Sequence, residues 1–391
     1  MLLILTIIAS ISLIIWLFLL LFWGQFWRAD QRLDNLPKTL SDYPTVCAVI
    51  PARNEADVLP ISLKSLLMQD YAGQFSIILI DDQSTDQTGE VAQAIAANLG
   101  LSEKLTVIPG QPLPPGWSGK LWAMEQGVQT VDKQNINPDY FLFTDADIKH
   151  HQSNLKELVS KAEQEQLALT SLMVLLRCES VWEQFLIPAF VFFFQKLYPF
   201  PWVNNPNRKM AAAAGGCILI RRDRLLEIGG IGSLREALID DCTLAQKVKA
   251  SQPSTAIWLG LTQDTKSLRP YDSLETIWNM IARTAYTQLN YSPWLLLGTL
   301  VGMSLVYLAA PIGLVLGIIW GSMPLSLISG LTWLLMAIAY LPTLKLYSLS
   351  PLWSLSLPLI ALLYNLMTFD SALRHWRGQG GGWKGRVYPQ S

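Results

Sequence analysis

The sequence predicts an α/β domain with a mostly parallel sheet, set between apolar helices at both ends of the chain. Three observations carry this. Only 15% of the 391 residues are charged, against roughly 25% in an ordinary soluble domain. The deficit is local: residues 1–23 carry no charged side chain, and from Trp294 to Phe369 the only one is Lys345. Between about residues 44 and 290, short β-rich runs alternate with helical periodicity, the pattern of a parallel α/β sheet.

The chain opens with an apolar stretch, residues 1–25, long enough to span a bilayer, which takes about 20 residues. It lacks the basic start of a signal peptide, and its apolar run exceeds the usual length of about 7–15 residues. Phe26-Trp27-Arg28, Arg32 and Lys38 follow it, an aromatic belt with positive charge behind, so an uncleaved anchor with its C-terminal end in the cytoplasm is expected. Residues 44–290 are then a cytosolic domain. Its strands are expected at Thr45–Ile50, Ser76–Ile80, Leu105–Ile108 and Tyr140–Thr144, and its helices at Ala56–Met68, Asp86–Leu99, Lys120–Val131 and Asn154–Glu165.

The later part of this domain is less regular. The aromatic stretch Trp182–Trp202 is interrupted by Glu183, Gln184, Gln195 and Lys196, which leaves too few apolar positions to span a membrane. It reads as a helix with its aromatic face at the lipid headgroups, or as ordinary core. Residues 293–369 hold three apolar blocks: Pro293–Trp320, with Pro311 inside it, Leu325–Thr343 and Pro351–Phe369. The tail, residues 370–391, carries Arg374, Arg377, Lys384 and Arg386, which should stay cytoplasmic. One anchor and three spans would put it outside, so either the first block is a kinked hairpin or one block is re-entrant. The whole is expected to be a multi-pass membrane protein with its 44–290 domain in the cytoplasm.

The net charge of −1 offers nucleic acid no basic face. Cys47, Cys178, Cys217 and Cys242 are widely spaced and form no metal or disulfide pattern; reduced thiols are expected.

Five polar elements follow one another along the domain. Pro51-Ala52-Arg53-Asn54-Glu55 ends a strand and opens a helix, where Pro51, Arg53 and Glu55 face the crevice at the carboxyl edge of a sheet; Asn54 could equally be a helix cap. Asp81-Asp82 ends the next strand, and Asp82 is assigned to the nucleoside of a ligand, since a buried carboxylate requires a donor. Ser84 to Asp86 more simply start a helix. Lys120, after Gly116-Trp117-Ser118-Gly119, can meet a phosphate as a point charge. Asp145-Ala146-Asp147 offers two hard oxygen ligands, suited to Mn²⁺ or Mg²⁺, with Asp147 the better ligand and Asp145 on the metal or on the ribose. His150 or His151 could join the metal, but both are expected on an exposed loop. Asp240-Asp241 opens a later helix, where a carboxylate can act as general base.

In this order and on this scaffold, the five elements resemble the family 2 inverting glycosyltransferases of GT-A fold, over about residues 44–290. Phe143–His150, Gly116–Trp122, Asp370–Arg377 and the stretch from Trp376-Arg377 to Trp383-Lys384-Gly385-Arg386 are similar to the hopene-associated members of bacterial hopanoid gene sets and, more distantly, to ceramide glucosyltransferases. The resemblance implies that Asp82 contacts the nucleoside, that Asp145 and Asp147 hold the metal, and that Asp241 is the base. Polymerising members carry Gln-X-X-Arg-Trp where this chain reads Met280-Ile281-Ala282-Arg283-Thr284. Only Arg283 remains, to neutralise a diphosphate, which implies one sugar transferred. The expected donor is a UDP-hexose and the expected acceptor a lipid hydroxyl, for the closer likeness a hopanoid, held near Gly215-Gly216. A polyprenyl-phosphate acceptor, or a non-catalytic nucleotide-sugar binder, are the rival readings.

Overall fold

The computed structural model describes residues 1–33, 40, 42–252 and 255–378, with the backbone of 382–383 and 386–387. Lys38 and Lys384, and the side chains of Trp383 and Arg386, lie outside the described residues. Eight strands form the central sheet: β1 (Val46–Ala52), β2 (Phe75–Asp81), β3 (Leu105–Pro109), β4 (Tyr140–Thr144), β5 (Ile148–Lys149), β6 (Leu169–Leu175), β7 (Cys217–Arg221) and β8 (Ile257–Ser267), in spatial order β3-β2-β1-β4-β7-β6-β8-β5.

The four strands expected from the apolar runs are present and pair in parallel, β3 with β2, β2 with β1 and β1 with β4. The other half makes the sheet mixed. β7 runs antiparallel to both β4 and β6, and β5 antiparallel to β8, while β6 and β8 are parallel. β1 is buried along its whole length, because helices cover both faces. Leu59–Leu67, Thr88–Asn98 and Asn154–Gln164 pack on one face. Gly119–Lys133, Asp240–Ser251 and the aromatic helix Val181–Leu197 pack on the other.

That second core continues without a break into the apolar helices. In the Val181–Leu197 helix, Ser180 and Glu183 form a capping box, and the buried Glu183 also accepts from Tyr271 N–H at 2.8 Å and from Arg177 Nη1 at 2.9 Å. Phe192 packs edge-on against Tyr340, and Phe193 against Tyr307 and Tyr364. Most of this stretch packs into the core, while Val181, Trp182 and Leu197 at its two ends stay exposed.

Among the described residues, four helices are long and apolar enough to cross a membrane: Leu2–Phe22, Pro293–Ile319, Met323–Leu346 and Pro351–Trp376. The expected hairpin within the first C-terminal block does not form. Pro293–Ile319 is one helix, and a π-turn at Ser304–Leu308 precedes Pro311, where a proline without an N–H would otherwise break the bonding ladder. The Val306 carbonyl in this turn accepts from Trp16 Nε1 at 2.8 Å.

The last block turns back on itself. Leu346, ending the third long helix, accepts from Gln263 of β8 at 2.7 Å, so that end meets the α/β domain. The chain then descends until the Leu355 carbonyl accepts from Trp333 Nε1 at 3.1 Å. Trp333 lies about 20 Å back along its helix from Leu346, at 1.5 Å per residue. The Leu357–Trp376 helix then returns, and Asp370 accepts from Trp278 of the domain at 2.7 Å.

Candidate active site

Parallel pairing of β2, β1 and β4 sets three strand ends side by side. Ala52 is in register with Asp81, and Val49 with Phe143, so the loops bearing Arg53, Asp82 and Asp145 leave one edge of the sheet. β7 runs against β4, pairing Thr144 with Cys217, which delivers Gly215-Gly216 beside Asp145. Thr144 Oγ1 donates to the Gly216 carbonyl at 2.9 Å. A cavity of about 470 Å³ opens at this edge, lined by Pro51, Glu55, Lys120, Asp145, Asp147, Asp240, Arg269, Tyr271, Asn279 and Arg283, among others.

Ser118 caps the Gly119–Lys133 helix by accepting from Leu121 N–H, and Lys120 in its first turn reaches inward. Its Nζ is 2.7 Å from Asp145 Oδ1 and 3.8 Å from Asp240 Oδ2. Burial works to lower the ammonium's pKa, but Asp145, Asp240 and Asp241 outweigh it and hold it above its ordinary value.

Asp147 is buried and receives Arg269 Nε on Oδ2 at 2.8 Å, while Arg269 Nη2 reaches Glu55 Oε1 at 3.1 Å. Burial alone would lower the guanidinium's pKa; Asp147 and Glu55 raise it. Both carboxylates of the Asp-Ala-Asp motif therefore hold a cation of the protein's own, one a lysine and the other an arginine. Among the described residues no group of three or more His, Cys, Asp or Glu side chains could hold a metal ion. Two hard carboxylates on a cavity wall do fit Mg²⁺ or Mn²⁺ that completes its shell with diphosphate oxygens and water.

Asp240 and Asp241 start the Asp240–Ser251 helix. Asp240 lines the main cavity and also a small recess beside it, where Asp241 joins it with Lys120, Asp145 and Gly215. Asp241 Oδ2 accepts from Gly215 N–H at 2.8 Å and Oδ1 from Cys242 N–H at 2.7 Å. Burial first, and the Asp240 charge second, push its pKa up to about 6.

Several expectations are refined. Asp82 is fully buried and does not line the cavity; its Oδ2 lies 3.8 Å from Arg53 Nη1, which donates to the Asp82 carbonyl at 2.6 Å. Asn54 caps no helix: its side chain accepts from Thr85 N–H at 2.9 Å, tying the β1 loop to the β2 loop. Asp86 anchors the next helix by accepting from Thr88 N–H, as expected. His151 is exposed, but His150 is buried between Thr144 Oγ1 and Asn154 Nδ2, each at 3.0 Å, and burial lowers its pKa to about 3. It is a neutral strut. Gly215 abuts Asp241: a Cβ there would sit 3.2 Å from Asp241 Oδ2 and from Lys120 Nζ. The four cysteines are unpaired.

This mixed sheet with its strand-edge cavity is a GT-A fold, and residues 47–229, just under half of the chain, match the profile described as glycosyl transferase family 2. A mannosyltransferase from Pyrobaculum calidifontis, solved in complex with GDP-Man and Mn²⁺, superposes with a TM-score of 0.55 at 17% identity, over 93% of this chain and 99% of that one. A 4,4'-diaponeurosporenoate glycosyltransferase of Staphylococcus haemolyticus is 31% identical over 131 residues, 33% of this chain and 31% of that protein. A PGL/p-HBAD biosynthesis glycosyltransferase of Mycobacterium bovis is 42% identical over 57 residues, 15% of this chain and 22% of that protein. The chain thus spans less than a third of the length of these curated relatives.

Arg269, Tyr271 and Asn279 line the cavity and were not anticipated from sequence. They lie beyond β8 in no motif, and only the return of the chain to the sheet edge brings them to Asp147.

Proposed function

We propose that this protein is a membrane-bound inverting glycosyltransferase that moves one sugar from a nucleotide-sugar donor, a UDP-hexose, to a lipid hydroxyl. The observation that carries the reading is the gathering of Lys120, Asp145, Asp147, Asp240 and Asp241 about one cavity edge, in a fold whose core runs on into membrane-length helices. A hopanoid alcohol is the acceptor assigned by resemblance. The relative named for 4,4'-diaponeurosporenoate is consistent with an apolar acceptor.

In this reading the strand-end loops that Arg53 and the buried Asp82 brace together form the nucleoside end, with Pro51 and Glu55 on the wall between it and the metal position. Lys120 and Arg283 face the diphosphate. Mn²⁺ or Mg²⁺, when bound, would be held by Asp145 and Asp147 and would neutralise diphosphate charge. The acceptor oxygen attacks the anomeric carbon and its proton passes to Asp241. The bond from that carbon to the diphosphate oxygen breaks, its electron pair leaves with the nucleoside diphosphate, and the anomeric configuration inverts. Asp241 suits the base role because two backbone N–H groups fix its plane, and its raised pKa makes it more basic than an exposed aspartate while leaving it ionised at pH 7.

The membrane reading is three crossings, Leu2–Phe22, Pro293–Ile319 and Met323–Leu346, with the last block re-entrant. The Leu355–Trp333 contact at depth and the return of Asp370 to the domain support it. Arg374 and Arg377 then lie on the cytoplasmic side with the catalytic domain, as charge bias prefers, in a bacterial inner membrane.

The test is transfer of radiolabelled sugar from UDP- and GDP-sugars into the organic phase, by membranes bearing the protein, with Mn²⁺ or with EDTA. Hopanoid alcohol and polyprenyl phosphate are supplied as separate acceptors. Metal-dependent lipid labelling that disappears in Asp241→Asn supports the proposal. Donor binding with no turnover across the panel refutes it.

A further inference from the structure

The short helix Leu274–Ala282, followed by Arg283, is the cavity wall contributed from beyond the sheet: Thr276, Asn279, Met280 and Arg283 all line it. Nine residues are too few for a helix to hold its own place, since an isolated helix under about 12–15 residues is marginal in water. Ile277 and Ile281 bury its apolar face, which fixes its depth. Apolar contact is non-directional, however, and leaves the azimuth of its polar face to other contacts.

Those contacts come from the re-entrant segment. Asp370 Oδ2 accepts both Trp278 Nε1 at 2.7 Å and Arg374 Nε at 2.8 Å. Arg374 Nη1 then donates to Asn279 Oδ1 at 2.8 Å. Next to Asp370, Ser371 Oγ accepts from Tyr286 N–H at 3.0 Å. Trp278 and Asn279 are adjacent, so two neighbouring side chains of the wall helix are gripped by one ion pair spaced i, i+4 on the Leu357–Trp376 helix. The fork of an arginine can meet a carboxylate and an amide oxygen together, which a lysine point charge cannot.

We infer that Asp370 and Arg374 are positioning residues for the proposed transferase: they set Asn279 on the side of the cavity where a lipid hydroxyl enters. The entry side follows from the packing. The carboxylates and Lys120 come from strand ends and the domain's own helices, whereas the Leu274–Ala282 helix is the wall that also rests on a helix rising from membrane depth. A hydroxyl-bearing lipid drawn from the bilayer meets this wall, and the nucleotide end lies across the cavity. The inference rests on the transferase reading for its substrate but not for its mechanical part.

The experiment uses the full chain in nanodiscs, comparing wild type, Arg374→Ala, Arg374→Lys, Asn279→Ala and the double variant Arg374→Ala/Asn279→Ala. Arg374→Ala is expected to raise the KM for the lipid acceptor about tenfold, the scale of one charge-assisted hydrogen bond, with the donor KM unchanged. Arg374→Lys recovers only part of this. The double variant matches Arg374→Ala alone, because a residue acting through another is non-additive with it. Equal rises in both KM values, or an additive double variant, would overturn the proposal. Hydrogen exchange supplies a readout without turnover: amides of 274–284 exchange faster in Arg374→Ala while those of 46–144 do not. Unchanged exchange at 274–284 sinks the positioning role whatever the activity. A wild type that transfers no sugar sinks the transferase reading and leaves the exchange arm to decide the clamp.

Discussion

Arg269 and Asp147 are joined by a charged hydrogen bond, Nε to Oδ2 at 2.8 Å, although 122 residues separate them in the chain. The guanidinium occupies the carboxylate proposed as the metal ligand, and Glu55 holds its other edge at 3.1 Å. A divalent cation must compete with Arg269 for Asp147. Arg269→Gln should therefore bind Mn²⁺ about tenfold more tightly, the order of one charge-assisted contact released, while transfer slows because Glu55 and Asp147 lose their orientation. Titration of Mn²⁺ by electron paramagnetic resonance checks this. Weaker Mn²⁺ binding in the variant would contradict it.

The acid limb of transfer should follow Asp241. Its carboxyl is pushed up to about 6 by burial and by Asp240. The base form is therefore lost as pH falls through about 6 and complete above about 7, so kcat/KM should rise across that window and then level off. Asp241→Asn should abolish the limb and lower the rate by about 10²–10⁴-fold, the usual worth of a general base. A pH–rate profile from 4.5 to 8 reads both. A limb unchanged in the variant would assign it to another group.

Lys120 ties Asp145 and Asp240 together. Lys120→Met should leave those carboxylates uncompensated beside an anionic donor, weakening nucleotide-sugar binding by about tenfold or more, since a lone cation facing a phosphate is worth about 1.5–3 kcal/mol. Arginine at this position should restore charge but not the packing. Isothermal titration with UDP measures the loss.

Gly215 is required for room. Its backbone N–H orients Asp241, and a Cβ would meet Asp241 Oδ2 and Lys120 Nζ at 3.2 Å. Gly215→Ala should lower kcat while thermal stability falls by only about 1 kcal/mol, the common scale of a point substitution. Steady-state kinetics beside a melting curve separate the two effects.

Topology is testable without activity. With the final block re-entrant, a cysteine replacing Gly378 should be labelled by a membrane-impermeant maleimide only after cell lysis, like one placed at the exposed Glu165 of the catalytic domain. Labelling of Gly378→Cys in intact spheroplasts would mean that the block crosses.

The first half of the α/β domain was legible because the inner parallel strands β1, β2 and β4 are largely buried and so must be mostly apolar, and Ile77–Ile80 and Phe141–Phe143 announce themselves. The second half was not. β5 is two residues long, and β8 ends in polar residues exposed at alternate positions, as in Asp264 and Lys266; such strands exist only because neighbours pair with them. His150 was misread for the same reason: a histidine after a strand reads as loop, and only Thr144 and Asn154 closing on it make it core.

The sequence by itself determined which segments are apolar enough for a bilayer and which carboxylates leave the ends of buried strands, because both follow from local composition and period. Tertiary structure alone decided that Arg269 meets Asp147, that Gly215 holds Asp241 beside Lys120, and that the last apolar block turns back to hold Asn279. Each of these depends on bringing together residues far apart in the chain, and the energy that does so is spread over the shared core. No run of neighbouring residues records it.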